Sequence, residues 1–261
     1  MSSAARVRIR LGAIRQNFEF LKKVSRGSHL MAVIKANAYG HGLVSVAMAL
    51  GDADCLAVAR LSEAKTLRAS GVDSPIVVLG GLLAEDEVAE ALALRLQFCV
   101  HCEEQISWLQ NSATGNAIVW LKIDTGMNRL GFRVEEVESV LEKLQHCSAI
   151  GELRIMTHLA NADNRNDAMT GEQIRRFASS IEGFQGDISI SNSAGMLGWP
   201  AIDELFNDAL EQGRLWNRPG LSLYGLSPFP DSCGADLGLT AAMQLETQIM
   251  AVKNLRAGDR V

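Results

Sequence analysis

The sequence predicts an α/β protein, a (β/α)8 TIM barrel followed by the first strand or strands of an incomplete C-terminal β-domain. Short β-branched runs alternate with longer stretches of helical periodicity, which is typical of a parallel sheet covered by helices. Eight such strand and helix units fit into a little over two hundred residues. No Gly-x-Gly-x-x-Gly turn follows the first of these strands, which disfavours an open, doubly wound sheet.

The elements follow one another in a regular order. RVRIR near the N-terminus has the strict period of a strand, and LGAIRQNFEFLKKV (11–24) predicts a helix that leads into the barrel. The eight candidate barrel strands are residues 30–36, 55–60, 75–80, 96–100, 117–124, 152–159, 187–194 and 214–220. Further helices are predicted at 43–50, 61–70, 84–94, 133–145 and 169–183, several with acidic or Ser/Thr residues at the start and Gly near the end.

The order of the elements predicts three parts. Residues 1–10 form a strand associated with the C-terminal domain, residues 11–230 form the barrel, and residues 235–261 begin a truncated β-domain. Residues 239–252 alternate apolar and polar side chains like a half-buried antiparallel strand. A Gly-Asp turn and the start of another strand follow, so we expect an apolar edge with nothing to pair with, prone to aggregation unless covered.

Composition restricts the possible partners. The chain has 261 residues, 48 % of them hydrophobic, which is enough for a full core. Its net charge of -5 argues against a nucleic-acid or anionic-membrane surface. No apolar run approaches the roughly 18 residues of a membrane span, and the N-terminus lacks the apolar core of a signal peptide. We therefore expect a cytoplasmic protein with neither nucleic acid nor membrane as a partner.

The five cysteines are scattered along the chain, which favours reduced thiols over a disulfide framework. CVHC (99–102) has the Cys-x-x-Cys spacing of a metal or redox site. No second ligand pair follows at zinc-site spacing, so two ordinary thiols are the preferred interpretation and no metal is predicted.

Polar residues recur at the carboxyl ends of the predicted strands. Lys35 ends the apolar run of HLMAVIK, where a solvated lysine is the ordinary explanation. Six strands, however, end in this way, with Lys35, Arg60, Lys122, Asp124, His158, Asn192, Ser193 and Arg218. Because the carboxyl ends of barrel strands build the active site, these side chains are predicted to converge on one mouth.

The last two loops resemble a phosphate site. SNSAG (191–195) and NRPGLSLYG (217–225) supply Ser193, Gly195, Gly220 and the N–H of Leu221 at the place where barrels often bind phosphate. An amine opposite a phosphate site, with an arginine near the middle of the mouth, suggests pyridoxal 5'-phosphate (PLP), whose aldehyde condenses with a lysine.

Five motifs carry a resemblance to a known family. They are AVIKANAYGHG (32–42), WLKIDTGMNRLG (120–131), MTHLANAD (156–163), SNSAG (191–195) and NRPGLSLYG (217–225). Through them the sequence resembles, along essentially its whole length, the bacterial alanine racemases, which are PLP enzymes of fold type III. The resemblance implies an isomerase that interconverts L-alanine and D-alanine for the supply of peptidoglycan precursors.

The resemblance also implies the residues that hold the cofactor. Lys35 would carry PLP covalently, and His158 would pack over the pyridine ring. Arg218 would face the pyridine nitrogen, and Asn192 would lie beside the phosphate-binding serine. The phosphate ligands implied are Tyr39, Ser193, Gly220 and Leu221.

Three cationic residues have roles in the reaction by the same resemblance. Lys35 would exchange the α-proton on the D-alanine side. Arg129 would reach the PLP phenolate oxygen and the substrate, and Lys122 matches a lysine that is often carbamylated, which would hold Arg129 in place.

A second base is implied on the opposite face of the substrate. In the family it is a tyrosine of the partner subunit in a homodimer, within a Gly-Tyr-Gly segment after a GDxV turn. The sequence stops at GDRV (258–261), which predicts a truncated racemase. A PLP-binding barrel without racemase activity and a half-enzyme that needs a separate C-terminal chain are the alternatives, and dimerisation of this chain is left open.

Overall fold

The computed structural model describes residues 5–112 and 115–260. The strands are β1 (Ala5–Ile9), β2 (His29–Val33), β3 (Cys55–Val58), β4 (Ile76–Val78), β5 (Gln97–Val100), β6 (Ala117–Asp124), β7 (Phe132–Arg133), β8 (Ile150–Met156), β9 (Ile188–Ser189), β10 (Leu215–Asn217) and β11 (Met243–Thr247). Eight parallel strands close into a barrel in the order β2-β3-β4-β5-β6-β8-β9-β10, and β10 pairs with β2 to complete the ring. The predicted TIM barrel is confirmed, and each predicted barrel strand contains one of these eight or overlaps it.

Helices surround the barrel and connect its strands. They are α1 (Leu11–Val24), α2 (Lys35–Tyr39), α3 (Leu43–Ala49), α4 (Leu61–Ala69), α5 (Asp86–Ala93), α6 (Glu103–Asn111), α7 (Val137–Gln145), α8 (Ala168–Ser180), α9 (Ser193–Gly198), α10 (Ala201–Leu205) and α11 (Asn207–Glu211). The six predicted helices correspond to α1, α3, α4, α5, α7 and α8. The sequence pattern did not indicate α6 or the short helices α2, α9, α10 and α11. Each of these short helices has only five or six residues, which is too few to show a helical period.

The core has two layers because the barrel strands are buried on both faces. In β2, Leu30 and Ala32 pack outward against the helices, whereas Met31 and Val33 face the lumen. Within the lumen, the Arg154 guanidinium lies 5.3 Å from the ring centre of Trp120 and 5.3 Å from that of Trp216. Arg154 also pairs with Asp187 at 3.3 Å, and this layer closes the lumen below the mouth.

A separate two-stranded sheet lies outside the barrel. β1 pairs antiparallel with β11, with Ala5 opposite Thr247 and Ile9 opposite Met243. The expectation that the strand near residue 245 would have nothing to pair with was therefore wrong, because a partner more than 230 residues away along the chain supplies the ladder. Apolar side chains on and after β11 remain exposed to solvent, since Leu245 is 72 % and Met250 90 % exposed.

None of the helices in residues 5–112 and 115–260 combines the length and the apolar character that crossing a membrane requires.

Candidate active site

A cavity of about 450 Å³ opens at the carboxyl end of the barrel. It brings together the ten residues that the resemblance assigned to the cofactor and the substrate, namely Lys35, Tyr39, Lys122, Arg129, His158, Asn192, Ser193, Arg218, Gly220 and Leu221. Asp163, Met156 and Leu79 also line it and were not predicted; Asp163 lies at the end of the MTHLANAD motif, which was the only signal for it.

Some strand-end residues do not reach the cavity wall. Arg60 is exposed at the start of α4. Asp124 instead shapes the loop before Arg129, because its Oδ1 accepts the backbone N–H of Gly126 at 2.8 Å and that of Asn128 at 3.1 Å. Gly195, offered as a phosphate donor, has its N–H engaged at 2.9 Å by Asn192 Oδ1, which caps α9.

The backbone after Lys35 is left-handed. Ala36, Asn37, Ala38 and Tyr39 have φ angles of 53°, 55°, 53° and 52°, so α2 is a left-handed turn. A left-handed helical conformation costs roughly 1–2 kcal/mol per residue for L-amino acids other than glycine, so the surroundings must hold this turn. Its effect is to present Lys35 and Tyr39 to the same cavity.

Opposite the lysine, three chain segments meet in a small cradle. Ser193 Oγ accepts the N–H groups of Gly220 at 3.0 Å and of Ser222 at 3.3 Å. A Cβ atom at position 220 would lie 2.7 Å from the Tyr39 hydroxyl oxygen, so only glycine lets that hydroxyl approach the backbone here. The Ser222 Oγ is buried without a hydrogen-bond partner among the described residues. This donor set of hydroxyls and backbone N–H groups fits a phosphate.

The mouth is strongly cationic. Lys35, Lys122, Arg129 and Arg218 line it, and Asp163 is the one carboxylate among the lining residues that the structure describes. Burial lowers the pKa of the Lys35 amine, the Arg129 charge lowers it further, and the Glu63 carboxylate partly opposes the change. Burial likewise lowers the pKa of Lys122. Such a site favours an anionic ligand and makes a lysine amine available as a base.

Arg218 crosses the floor of the cavity. Its Nη2 donates to the carbonyl oxygen of Thr157 at 2.6 Å and to His158 Nδ1 at 3.4 Å. Burial lowers the pKa of Arg218 to about 10, so the guanidinium stays charged at neutral pH. Burial and then the Arg218 charge lower the pKa of His158 to about 2, which leaves a neutral ring on the cavity wall.

The CVHC segment (99–102) does not line the cavity. Cys99 is buried in the lumen, with its Sγ 3.5 Å from Met156 Sδ, and His101 Nε2 contacts the carbonyl oxygen of Gly80 at 3.0 Å. Within residues 5–112 and 115–260, no group of three or more His, Cys, Asp or Glu side chains is placed to hold a metal ion.

Comparison with known proteins adds independent information. The family model described as "Alanine racemase, N-terminal domain" matches residues 9–228. The alanine racemase of Aliivibrio salmonicida is 38 % identical over 261 residues, covering 99 % of this chain and 70 % of that protein. The alanine racemase of Halorhodospira halophila is 40 % identical over 264 residues, covering 100 % of this chain and 70 % of that protein.

Solved structures agree with these sequences. The biosynthetic alanine racemase of Pseudomonas aeruginosa superposes with a TM-score of 0.90 at 35 % identity, covering 100 % of this chain and 70 % of that one. The alanine racemase of Acinetobacter baumannii gives a TM-score of 0.87 at 29 % identity, with 100 % and 71 % covered.

Proposed function

Since this chain belongs to the alanine racemase family, we propose that the barrel mouth binds PLP and that Lys35 exchanges the α-proton of alanine there. Alanine racemisation, an isomerase activity, is the function of the chain at the level of its family. One observation carries the residue assignments: Lys35, the cationic residues and the glycine-lined cradle all border the same cavity.

The cradle would hold the phosphate of the cofactor. Tyr39 and Ser193 would offer hydroxyls and Leu221 a backbone N–H, while Asn192 caps the helix that carries Ser193. The Gly220 N–H donates to Ser193 Oγ at 3.0 Å and would exchange that contact for a phosphate oxygen when the cofactor binds. The absence of a side chain at Gly220 supports this fit, because a Cβ atom would meet the Tyr39 hydroxyl at 2.7 Å.

The rest of the wall would orient the cofactor ring. His158 is neutral, with its pKa lowered to about 2 by burial, so its ring can pack over a pyridine without adding a charge. Arg218 stays charged and gives up a proton poorly, so it would donate a hydrogen bond to the pyridine nitrogen and leave it unprotonated. When bound, PLP withdraws electrons from the α-carbon of an attached amino acid and so acidifies its proton. A hydrogen bond from Arg218 to the pyridine nitrogen would weaken this withdrawal, which would favour return of the proton to the same carbon.

Lys35 would take and return the proton on the D-alanine face. Its pKa is lowered by burial and then by Arg129, which increases the share of neutral amine near pH 7. The other face needs a second base, and the resemblance expects a tyrosine of a partner subunit in a homodimer. Arg129 would bind the substrate side, and carbamylation of Lys122 would replace a repulsive cation with an anion able to hold Arg129.

The remaining proposals concern organisation and place. Residues 11–230 would form the PLP-binding domain, and residues 1–10 would belong with residues 235–261, a grouping that the pairing of β1 with β11 supports. The reaction would take place in the cytoplasm, supplying D-alanine to peptidoglycan precursors.

Deuterium exchange tests this proposal on each face separately. The PLP-loaded chain is incubated in D2O with D-alanine or L-alanine, and α-deuterium and the opposite enantiomer are measured. We expect deuterium to enter D-alanine through Lys35, and Lys35→Ala to abolish it while the surface control Lys22→Ala does not. Racemisation in addition would show that a second base is available. PLP bound without any exchange would favour the alternative, a PLP-binding barrel without racemase activity.

A further inference from the structure

We propose that Glu63 is a positioning residue for Lys35, because its carboxylate anchors the left-handed turn that follows the lysine and so holds Lys35 and Tyr39 towards the same cavity. This inference rests on the proposed function, in which Lys35 binds the cofactor and moves the proton. Sequence reasoning missed Glu63, since an acidic residue in the first turn of LSEAKTLRAS is expected of any capped helix.

Glu63 has two kinds of hydrogen bond. Its Oε2 accepts the N–H of Ala59 at 2.9 Å and that of Arg60 at 3.2 Å, which caps the start of α4 in the ordinary way. Its Oε1 accepts the N–H of Ala36 at 2.6 Å, and Ala36 belongs to the preceding strand's loop. One carboxylate therefore joins the loops at the ends of β2 and β3, directly beside Lys35.

The turn requires such an anchor. Four consecutive residues without a glycine, 36 to 39, have positive φ, a conformation that is unfavourable for L-amino acids other than glycine. Asn37 Oδ1 accepts the N–H of Leu43 at 2.9 Å, and His41 Nδ1 contacts the carbonyl oxygen of Ala38 at 3.0 Å, so these side chains hold the far end. At the end of the turn next to Lys35, the Glu63 carboxylate accepts the backbone N–H of Ala36.

The bond to Ala36 is short, with 2.6 Å between the Ala36 nitrogen and Glu63 Oε1, and its acceptor is a carboxylate, which favours a stronger bond than a neutral acceptor would. Loss of this bond should let the turn relax towards right-handed geometry, which would displace the Lys35 amine and the Tyr39 hydroxyl relative to the cradle. A displacement of about 1 Å is enough to cost roughly 100-fold in a positioned reaction.

Aspartate at this position separates capping from positioning. Glu63→Asp keeps the charge and can still cap α4, but it is one methylene shorter and cannot also reach Ala36. Glu87→Asp is the matched control, since Glu87 Oε2 accepts the N–H of Leu83 at 2.7 Å at the start of the next helix, α5, and has no hydrogen bond to the lysine's turn.

Two measurements test the inference. Backbone hydrogen exchange of the cofactor-free chain reports on the peptide 34–43, where Glu63→Asp should raise the exchange rate at least fivefold and Glu87→Asp should leave it unchanged. Attachment of PLP is then followed by borohydride trapping and mass spectrometry of the Lys35 peptide, where Glu63→Asp should slow attachment at least tenfold.

Each outcome decides between interpretations. Unchanged exchange in Glu63→Asp overturns the anchoring, and this holds whether or not the cofactor binds. Raised exchange with an unchanged attachment rate overturns the positioning role, as does an equal effect of Glu87→Asp. Failure of the unmodified chain to take PLP at Lys35 would instead overturn the proposed function.

Discussion

Replacement of Gly220 by alanine tests whether the cradle of Tyr39, Ser193 and Gly220 binds the cofactor phosphate. The new Cβ atom would lie 2.7 Å from the Tyr39 hydroxyl oxygen, 3.3 Å from its Cζ and 3.6 Å from Val33 Cβ. Restoring ordinary van der Waals separation requires the hydroxyl to move by roughly 0.5–1 Å. Tyr39 is 37 % exposed, so its ring can move outward and we expect the fold to survive.

The displaced hydroxyl would lose the hydrogen bond that we propose it donates to the cofactor phosphate. A hydrogen bond to a charged group contributes about 1.5–3 kcal/mol, which corresponds to PLP binding about 10-fold to 150-fold weaker. The assay is a PLP titration of the cofactor-free chain by absorbance, with the thermal midpoint measured in parallel to check folding.

A double-mutant cycle with Tyr39→Phe gives the sharper test. In the phenylalanine background the hydroxyl and its close approach to position 220 are both absent, so Gly220→Ala should add little further loss. Fully additive losses, or unaltered PLP affinity in a folded Gly220→Ala chain, would refute the account of the cradle.

Three further predictions concern stability. His158 is neutral in the folded chain, because burial and then the Arg218 charge lower its pKa from the ordinary value of 6.5 to about 2. As pH falls from 6.5 towards 2, the unfolded chain therefore binds a proton that the folded chain does not, and the folded chain loses stability. When the pH is lowered from 7.5 to 5, the free energy of unfolding of the cofactor-free chain, measured in urea titrations, should fall by about 2 kcal/mol more than that of His158→Gln. Equal decreases in the two chains would contradict this. Arg154→Ala removes the guanidinium that pairs with Asp187 and should lower the free energy of unfolding by about 3 kcal/mol in urea titrations. Arg95→Ala, at an exposed ion pair with Asp73, should change that free energy little, and equal effects of the two substitutions would refute the role of the lumen layer. Gly12→Ala, in α1 with nothing within 4 Å of the added Cβ, should raise the free energy of unfolding by roughly 0.5–1 kcal/mol, and a destabilised chain would contradict that packing.

The barrel and its mouth were largely predictable from the sequence. Parallel strands that are buried on both faces appear in the sequence as apolar runs. Once the strands close into a ring, the polar residues at the carboxyl ends of these runs must lie near one another. Lys35, His158 and Arg218 follow from that rule, and the structure places all three in the same cavity.

The left-handed turn could not have been predicted from local preferences. Ala36, Ala38 and Tyr39 are residues that rarely adopt positive φ, so their conformation depends on contacts made after folding, such as the bond from Ala36 to Glu63. The association of residues 1–10 with the C-terminal segment was predicted, but the register of β1 against β11 depends on a long-range contact that neither segment's period specifies.

Borohydride trapping of the PLP-loaded chain, followed by peptide mass spectrometry, tests whether Lys35 carries the cofactor. We expect one reduced PLP adduct, on Lys35, and none in Lys35→Ala. Lys122 is the competing amine, since it lines the same cavity and burial lowers its pKa as well. An adduct on Lys122 in the unmodified chain, or no adduct at all, would contradict the account.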